Sequence, residues 1–254
     1  MEISSAIIYG IVEGITEFLP ISSTGHLMLT AKLLGAESTD MLKSFEIMIQ
    51  LGAILAIVAL YPKRLLLDMK TILRVSAAFI PTAILGLLFY KIIKTYLLGN
   101  IAIVLVSLFV GGVVIIFLEK KWKPSGTLLI TDLSYKQSAM LGVLQTVAFI
   151  PGVSRSAMTI FGGMFAGLSR KEAVEFSFFL AVPTMAAATA LDLLKNYNSF
   201  GSADVGFLSA GFVTSFAVAL LCVRWLSRYV ATHDFTPFGY YRIGVAIIGY
   251  LLFF

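Results

Sequence analysis

The chain is poor in charge. Only 13% of its 254 residues are Asp, Glu, Lys or Arg, against about 25% in a soluble domain. It has a single cysteine, Cys222, which excludes an internal disulfide; in its apolar surroundings that residue reads as a small packing hydrophobe. There is no polar stretch long enough to form a separate soluble domain. The N-terminal Met-Glu-Ile-Ser-Ser-Ala lacks the cationic start of a secretory signal peptide. The basic residues behind the net charge of +5 lie mainly in short loops, where they orient a chain in a membrane, so nucleic acid is not an expected partner.

What is present is apolar. The hydrophobic fraction is 59% and the mean hydropathy +0.94. Several runs approach or reach the roughly 20 residues a helix needs to cross hydrocarbon. Outer-membrane barrels show alternating segments of about 10 residues instead. The expected class is therefore an all-α polytopic membrane protein, forming one membrane domain over 1–254.

Hydropathy and punctuation predict ten helical segments, near 3–19, 22–35, 42–61, 71–93, 100–119, 134–150, 154–168, 171–192, 204–229 and 238–254. Breaks fall at Pro20, Pro62, Gly99-Asn100, Pro124-Ser125-Gly126, Pro151-Gly152, Asn196 to Ser202, and Pro237. The first, second, sixth and seventh segments are short, and each pair meets at a polar, proline-containing turn. That pattern predicts two re-entrant hairpins among six spanning helices, since irregular backbone at membrane depth needs protein or a water-filled cavity around it. Gly10-x-x-Glu13, Phe18-Leu19-Pro20 and Ser22-Ser23 are weakly echoed by Gly142-x-x-Gln145, Phe149-Ile150-Pro151 and Ser154, the second copy one residue shorter before its proline. With three long segments after each hairpin, the chain reads as an inverted five-plus-five repeat, with halves of about 1–125 and 126–254. Thirteen of the 19 Lys and Arg residues fall near loops 62–74, 119–136, 169–172 and 224–242. The bias puts those loops in the cytoplasm and both termini outside. Lys120-Lys121-Trp122-Lys123 reads as an interfacial anchor.

The chemistry concentrates in the two turns. Residues 13–26 read Glu-Gly-Ile-Thr-Glu-Phe-Leu-Pro-Ile-Ser-Ser-Thr-Gly-His, and 151–159 read Pro-Gly-Val-Ser-Arg-Ser-Ala-Met-Thr. Each ionisable group facing lipid costs roughly 2.5–3.5 kcal/mol. Glu13, Glu17, His26 and Arg155 together would cost on the order of 10 kcal/mol, so a shared site away from lipid is expected. Glu13 and Glu17 share a helix face, and a cation or a shared proton would relieve their repulsion. Ser22, Ser23 or Thr24 can cap the next helix; one cap does not account for three hydroxyls, a glycine and a histidine. His26 beside them suits acid–base work. In the second turn Gly152 permits a tight bend, and Ser154, Arg155 and Ser156 open a helix whose N–H groups favour anions. Arg155 can grip phosphate in bidentate fashion, and Thr159 adds a donor. Phosphoryl transfer on a partly lipidic substrate is the natural reading. Glu46, Gln50 and Glu175 read first as helix-end or interhelical polar groups.

At these two motifs the chain resembles the undecaprenyl-diphosphate phosphatase family of the bacitracin-resistance type. Glu13, Glu17 and Pro20 through His26 match its first signature, and Pro151 through Thr159 its second. The resemblance implies removal of the terminal phosphate from a C55 polyprenyl diphosphate at the plasma membrane, to recycle the carrier lipid of cell-wall synthesis. It implies a divalent cation, Mg²⁺ or Ca²⁺, and a site open to the outer face. Carried over, Ser23 is the candidate nucleophile, with His26 the alternative. Glu17 would orient or deprotonate it, and Glu13 and Glu17 would hold the cation. His26 would protonate the leaving oxygen or activate water. Arg155, Ser22, Thr24, Gly152, Ser154, Ser156 and Thr159 would bind the diphosphate. Type-2 phosphatidic acid phosphatases also pair a Ser-Gly-His turn with a Ser-Arg turn, but this chain has no Arg-Pro dipeptide. A transporter or flippase with the same midplane site is the non-enzyme alternative. The oligomeric state is open, a homodimer being one possibility.

Overall fold

The computed structural model describes residues 2–36, 39–92, 97, 99–121, 126–196 and 205–254. Eleven α-helices follow one another among the described residues: α1 Ile3–Thr16, α2 Ser23–Leu33, α3 Asp40–Leu60, α4 Pro62–Leu66, α5 Met69–Ile92, α6 Ile101–Lys121, α7 Tyr135–Gln145, α8 Arg155–Phe165, α9 Arg170–Asn196, α10 Val205–Tyr229 and α11 Thr236–Phe253. No strand occurs among the described residues, only an isolated bridge between Leu128 and Leu168. The all-helical membrane class is as expected. The sequence expectations at 93–94, Trp122 through Ser125 and 197–204 lie outside the described residues.

Among the described residues five helices are long and apolar enough to cross a membrane: Met41–Leu60, Met69–Lys91, Ile101–Lys121, Arg170–Asp192 and Val205–Tyr229. Six were expected. The remaining candidate, α11, spends four of its 18 residues on Arg242 and three tyrosines, which lowers its apolarity.

Local chemistry accounts for the element ends. Thr39 caps α3 by accepting from Leu42 N–H at 3.1 Å, and Pro62 ends it and supplies the first turn of α4. The short α4 was not foreseen. The segment expected over 134–150 splits, with α7 tightening into a 3-10 turn over Thr146–Phe149 before Pro151. Segment 3–19 stops its helix at Thr16, leaving Glu17 to Ser22 as turn.

α1 packs along α10, α10 along α3, α5 along α7 and α11 along α6. The α5–α7 approach is close enough that a Cβ on Gly142 would overlap the Ala78 carbonyl oxygen. Both α5 and α9 carry an internal proline followed by threonine, Pro81-Thr82 and Pro183-Thr184. Ion pairs cluster at one edge of the bundle: Arg170 grips Glu119, Arg64 bridges Glu172 and Glu175, and Glu172 also accepts from Ile130 N–H at 2.9 Å. Glu175 is thus a structural partner of Arg64, in line with its reading as a helix-end polar group.

Candidate active site

Both turns before α2 and α8 place a serine at a left-handed backbone conformation. Ser22 has φ 72° and Ser154 φ 76°. A side chain there costs roughly 1–2 kcal/mol, and such strain collects at functional sites. Each serine caps its helix: Ser22 Oγ accepts from Gly25 N–H at 3.4 Å and Ser154 Oγ from Ala157 N–H at 3.1 Å.

The turns lie against each other. Arg155 donates through Nη2 to Glu17 Oε1 at 2.9 Å and through Nη1 to the Ser177 carbonyl at 2.9 Å. Ser156 Oγ donates to the Phe18 carbonyl at 2.8 Å. Ser23 Oγ donates to Glu17 Oε2. Residues 132 positions apart in the chain, Ser23 and Arg155, are therefore joined through one buried carboxylate. The Arg155 Nε–H is buried and has no acceptor.

A cavity of about 210 Å³ opens between the turns. Glu17, Ser22, Ser23, Thr24, Gly152, Ser154 and Arg155 line it. Ala148, Phe149, Met185 and Ala188 form an apolar side, while Gln50, Gln145 and Thr184 complete the polar one. The arrangement can hold an anion beside a hydroxyl that already donates to a carboxylate, with an arginine to offset charge.

Four of the predicted residues sit elsewhere. The Thr159 hydroxyl bonds Ser177 Oγ at 2.7 Å, and that of Ser156 is spent on Phe18; both tie α8 down behind the cavity. His26 does not line the cavity. Its Nδ1 must carry hydrogen, because it meets the Ser22 carbonyl at 2.8 Å, so Nε2 accepts from Tyr241 Oη at 2.9 Å. The two rings stack at 5.6 Å. Glu13 is fully buried beside the Glu17 carboxyl, and no N–H or hydroxyl donates to either of its carboxylate oxygens. Among the described residues no three His, Cys, Asp or Glu side chains converge as a ready metal site. Two carboxylates, one with orphaned oxygens, still suit a hard cation that takes its other ligands from substrate phosphate and water.

One central residue was missed. Arg242 was counted as a loop cation, yet it is 0% exposed within α11. Its guanidinium donates to the carbonyls of Pro20 at 3.1 Å, Gly152 at 2.7 Å, Val153 at 3.2 Å, Ser107 at 3.0 Å and Leu108 at 3.3 Å. It clamps both turns to α6. An arginine amid a helical apolar run is itself the signal that could have found it.

Fold and site thus define a polytopic helical membrane protein with a cavity lined by two facing polar turns. The chain belongs to the bacitracin resistance protein BacA family, whose model matches residues 6–248. It is 51% identical to an undecaprenyl-diphosphatase of Aquifex aeolicus (strain VF5), over 98% of this chain and 97% of that protein. It is 50% identical to one of Persephonella marina, over 100% and 99%. An undecaprenyl-diphosphatase of Methanococcus aeolicus is 41% identical, again over 100% and 99%.

Proposed function

We propose that this protein is an integral-membrane phosphatase that hydrolyses undecaprenyl diphosphate to the monophosphate and inorganic phosphate. The observation that carries the reading is the cavity itself. Arg155, whose Nε–H has no acceptor, and Ser23, whose hydroxyl is already bonded to Glu17, both line it, a set that matches a phosphoanhydride about to be attacked. The names of relatives covering nearly the whole chain agree. Nothing favours the transporter alternative, and a transporter has no need of the serine–carboxylate–arginine set.

Ser23 Oγ attacks the terminal phosphorus while Glu17 takes its proton. The bond from that phosphorus to the bridging oxygen breaks, and the proton held by Glu17 passes to the departing prenyl monophosphate, which returns Glu17 to its carboxylate form. Water then cleaves the phosphoserine, and the serine oxygen regains a proton. Arg155 offsets charge on the phosphoryl oxygens, helped by the Thr24 and Ser154 groups around the cavity. Glu17, not His26, is the proton acceptor in this scheme, because His26 is engaged by Ser22 and Tyr241; His26 holds the first turn. Glu13 and Glu17 would hold Mg²⁺ or Ca²⁺, which supplies charge neutralisation at the phosphates. The prenyl chain would leave past Phe149 and Met185.

The matched left-handed caps Ser22 and Ser154 support two re-entrant hairpins related by an inverted repeat within a single membrane domain. The loop-charge bias, now without Arg242, supports a plasma-membrane protein with its cavity toward the outer face. Phosphate release from a polyprenyl diphosphate by detergent-purified protein, with and without EDTA, tests the reading. Wild type should release phosphate, while chelation, Ser23→Ala and Arg155→Ala should abolish release. A well-folded wild type that stays silent with added Mg²⁺ and Ca²⁺ would sink it.

A further inference from the structure

Gln145 closes α7 at the polar side of the cavity and is 1% exposed. Its amide has no freedom to flip. Thr82 Oγ1 gives its hydrogen to the carbonyls of Gly142 at 2.8 Å and Ala78 at 3.1 Å, and Thr184 Oγ1 gives its own to Leu180 at 2.7 Å. Both hydroxyl oxygens can then only accept, and they meet Gln145 Nε2 at 3.1 and 3.4 Å. The two threonines, each placed after a helix proline, fix which end of the amide is which. Gln145 Oε1 is left buried with no partner in the protein.

A bare acceptor is the wrong group for a phosphate, whose oxygens also accept. It suits a small donor lying between it and the phosphate. Water is such a donor, and a site acting on a phosphoanhydride needs one. We propose that Gln145 is a catalytic residue: its side-chain carbonyl accepts a hydrogen bond from the attacking water and aims that water's oxygen at phosphorus. The proposal rests on the phosphatase reading above. In the step concerned, the water oxygen bonds phosphorus and the bond from phosphorus to Ser23 Oγ breaks. One water proton passes to Glu17 and from there to Ser23 Oγ. The water's other hydrogen stays on the water oxygen, donated to Gln145 Oε1 during attack, and Gln145 exchanges no proton. Glutamines that orient attacking water play this part in other phosphoryl-transfer sites.

Three variants in the full-length, detergent-purified protein test it: Gln145→Leu, which keeps the shape without the acceptor; Gln145→Glu, which keeps an acceptor; and the Thr82→Val/Thr184→Val pair, which frees the amide. The probe is a polyprenyl diphosphate carrying ³²P in its terminal phosphate, read as kcat, KM, acid-stable label on the protein, and melting temperature. Gln145→Leu should lower kcat about 10²-fold with KM changed less than about threefold. Label should accumulate on it and vanish when Ser23→Ala is added. Gln145→Glu should recover kcat to within about tenfold of wild type, and the threonine pair should fall between. A kcat for Gln145→Leu within about threefold of wild type overturns the proposal. So do equal losses in Leu and Glu variants that track melting temperature, which would mark a purely structural role. If wild type labels early in the reaction but Gln145→Leu accumulates no more label, the water step is not the one Gln145 serves. Absence of phosphate release by wild type instead brings down the phosphatase reading itself.

Discussion

Replacing Arg242 with methionine removes a buried guanidinium whose five hydrogen bonds all end on backbone carbonyls. Three of those carbonyls, on Pro20, Gly152 and Val153, belong to the two polar turns. Each buried acceptor left without a donor costs about 1–3 kcal/mol. The Ser107 and Leu108 carbonyls keep their partners within α6, so the gross loss over the three turn carbonyls is about 3–9 kcal/mol, partly offset because the desolvated cation goes too. At roughly 2 °C per kcal/mol for a chain of this size, a net loss of about 3 kcal/mol should lower the melting temperature in detergent by about 6 °C. Because Gly152 and Pro20 set the spacing of the turns, kcat for diphosphate hydrolysis should fall as well. Arg242→Lys keeps the charge but has three donors on one atom and cannot span both turns. It should recover part of the stability and little of the activity. Unchanged melting temperature and kcat in Arg242→Met would refute the clamp.

Two further substitutions probe the second turn. Gly152 has φ +93°, and a Cβ there would sit 2.6 Å from the Val104 carbonyl oxygen, so Gly152→Ala should displace the turn and cut kcat more than tenfold; wild-type kinetics would contradict the close approach. Ser154→Ala should lose about 1 kcal/mol of stability with its cap. Ser154→Gly should be at least as stable as wild type, because relief of the left-handed strain, about 1–2 kcal/mol, exceeds the few tenths lost when glycine replaces a cap. Thermal melts of the two variants decide the order, and a less stable glycine variant would count against strain at φ 76°.

Much of this protein was legible in its sequence, because the bilayer simplifies the problem. Apolar length reports a spanning helix directly, and an ionisable group inside an apolar run must find a partner, so Glu17 and Arg155 marked the site from opposite halves of the chain. The motif residues likewise carried the family. Side-chain partners were a different matter. Ser156 and Thr159 look like phosphate donors in the motif, yet their hydroxyls hold α8 in place. His26 looks like an acid–base group beside the turn, but a tyrosine 215 residues away takes its Nε2. Gln145 looks like a neutral echo of Glu13 until two threonines from different helices fix its amide.

The sequence by itself determined the membrane class, the position of the two polar turns and the family, since each rests on local composition or contiguous spacing. Tertiary structure alone decided that both turns enclose one cavity, that Arg242 is their clamp, and which polar atoms are spent and which are free. Those outcomes depend on contacts between residues up to 222 positions apart, and on whether a given carbonyl or hydroxyl is already satisfied. No local pattern encodes that, because a hydrogen bond depends on the positions of two atoms and the sequence names only their residues.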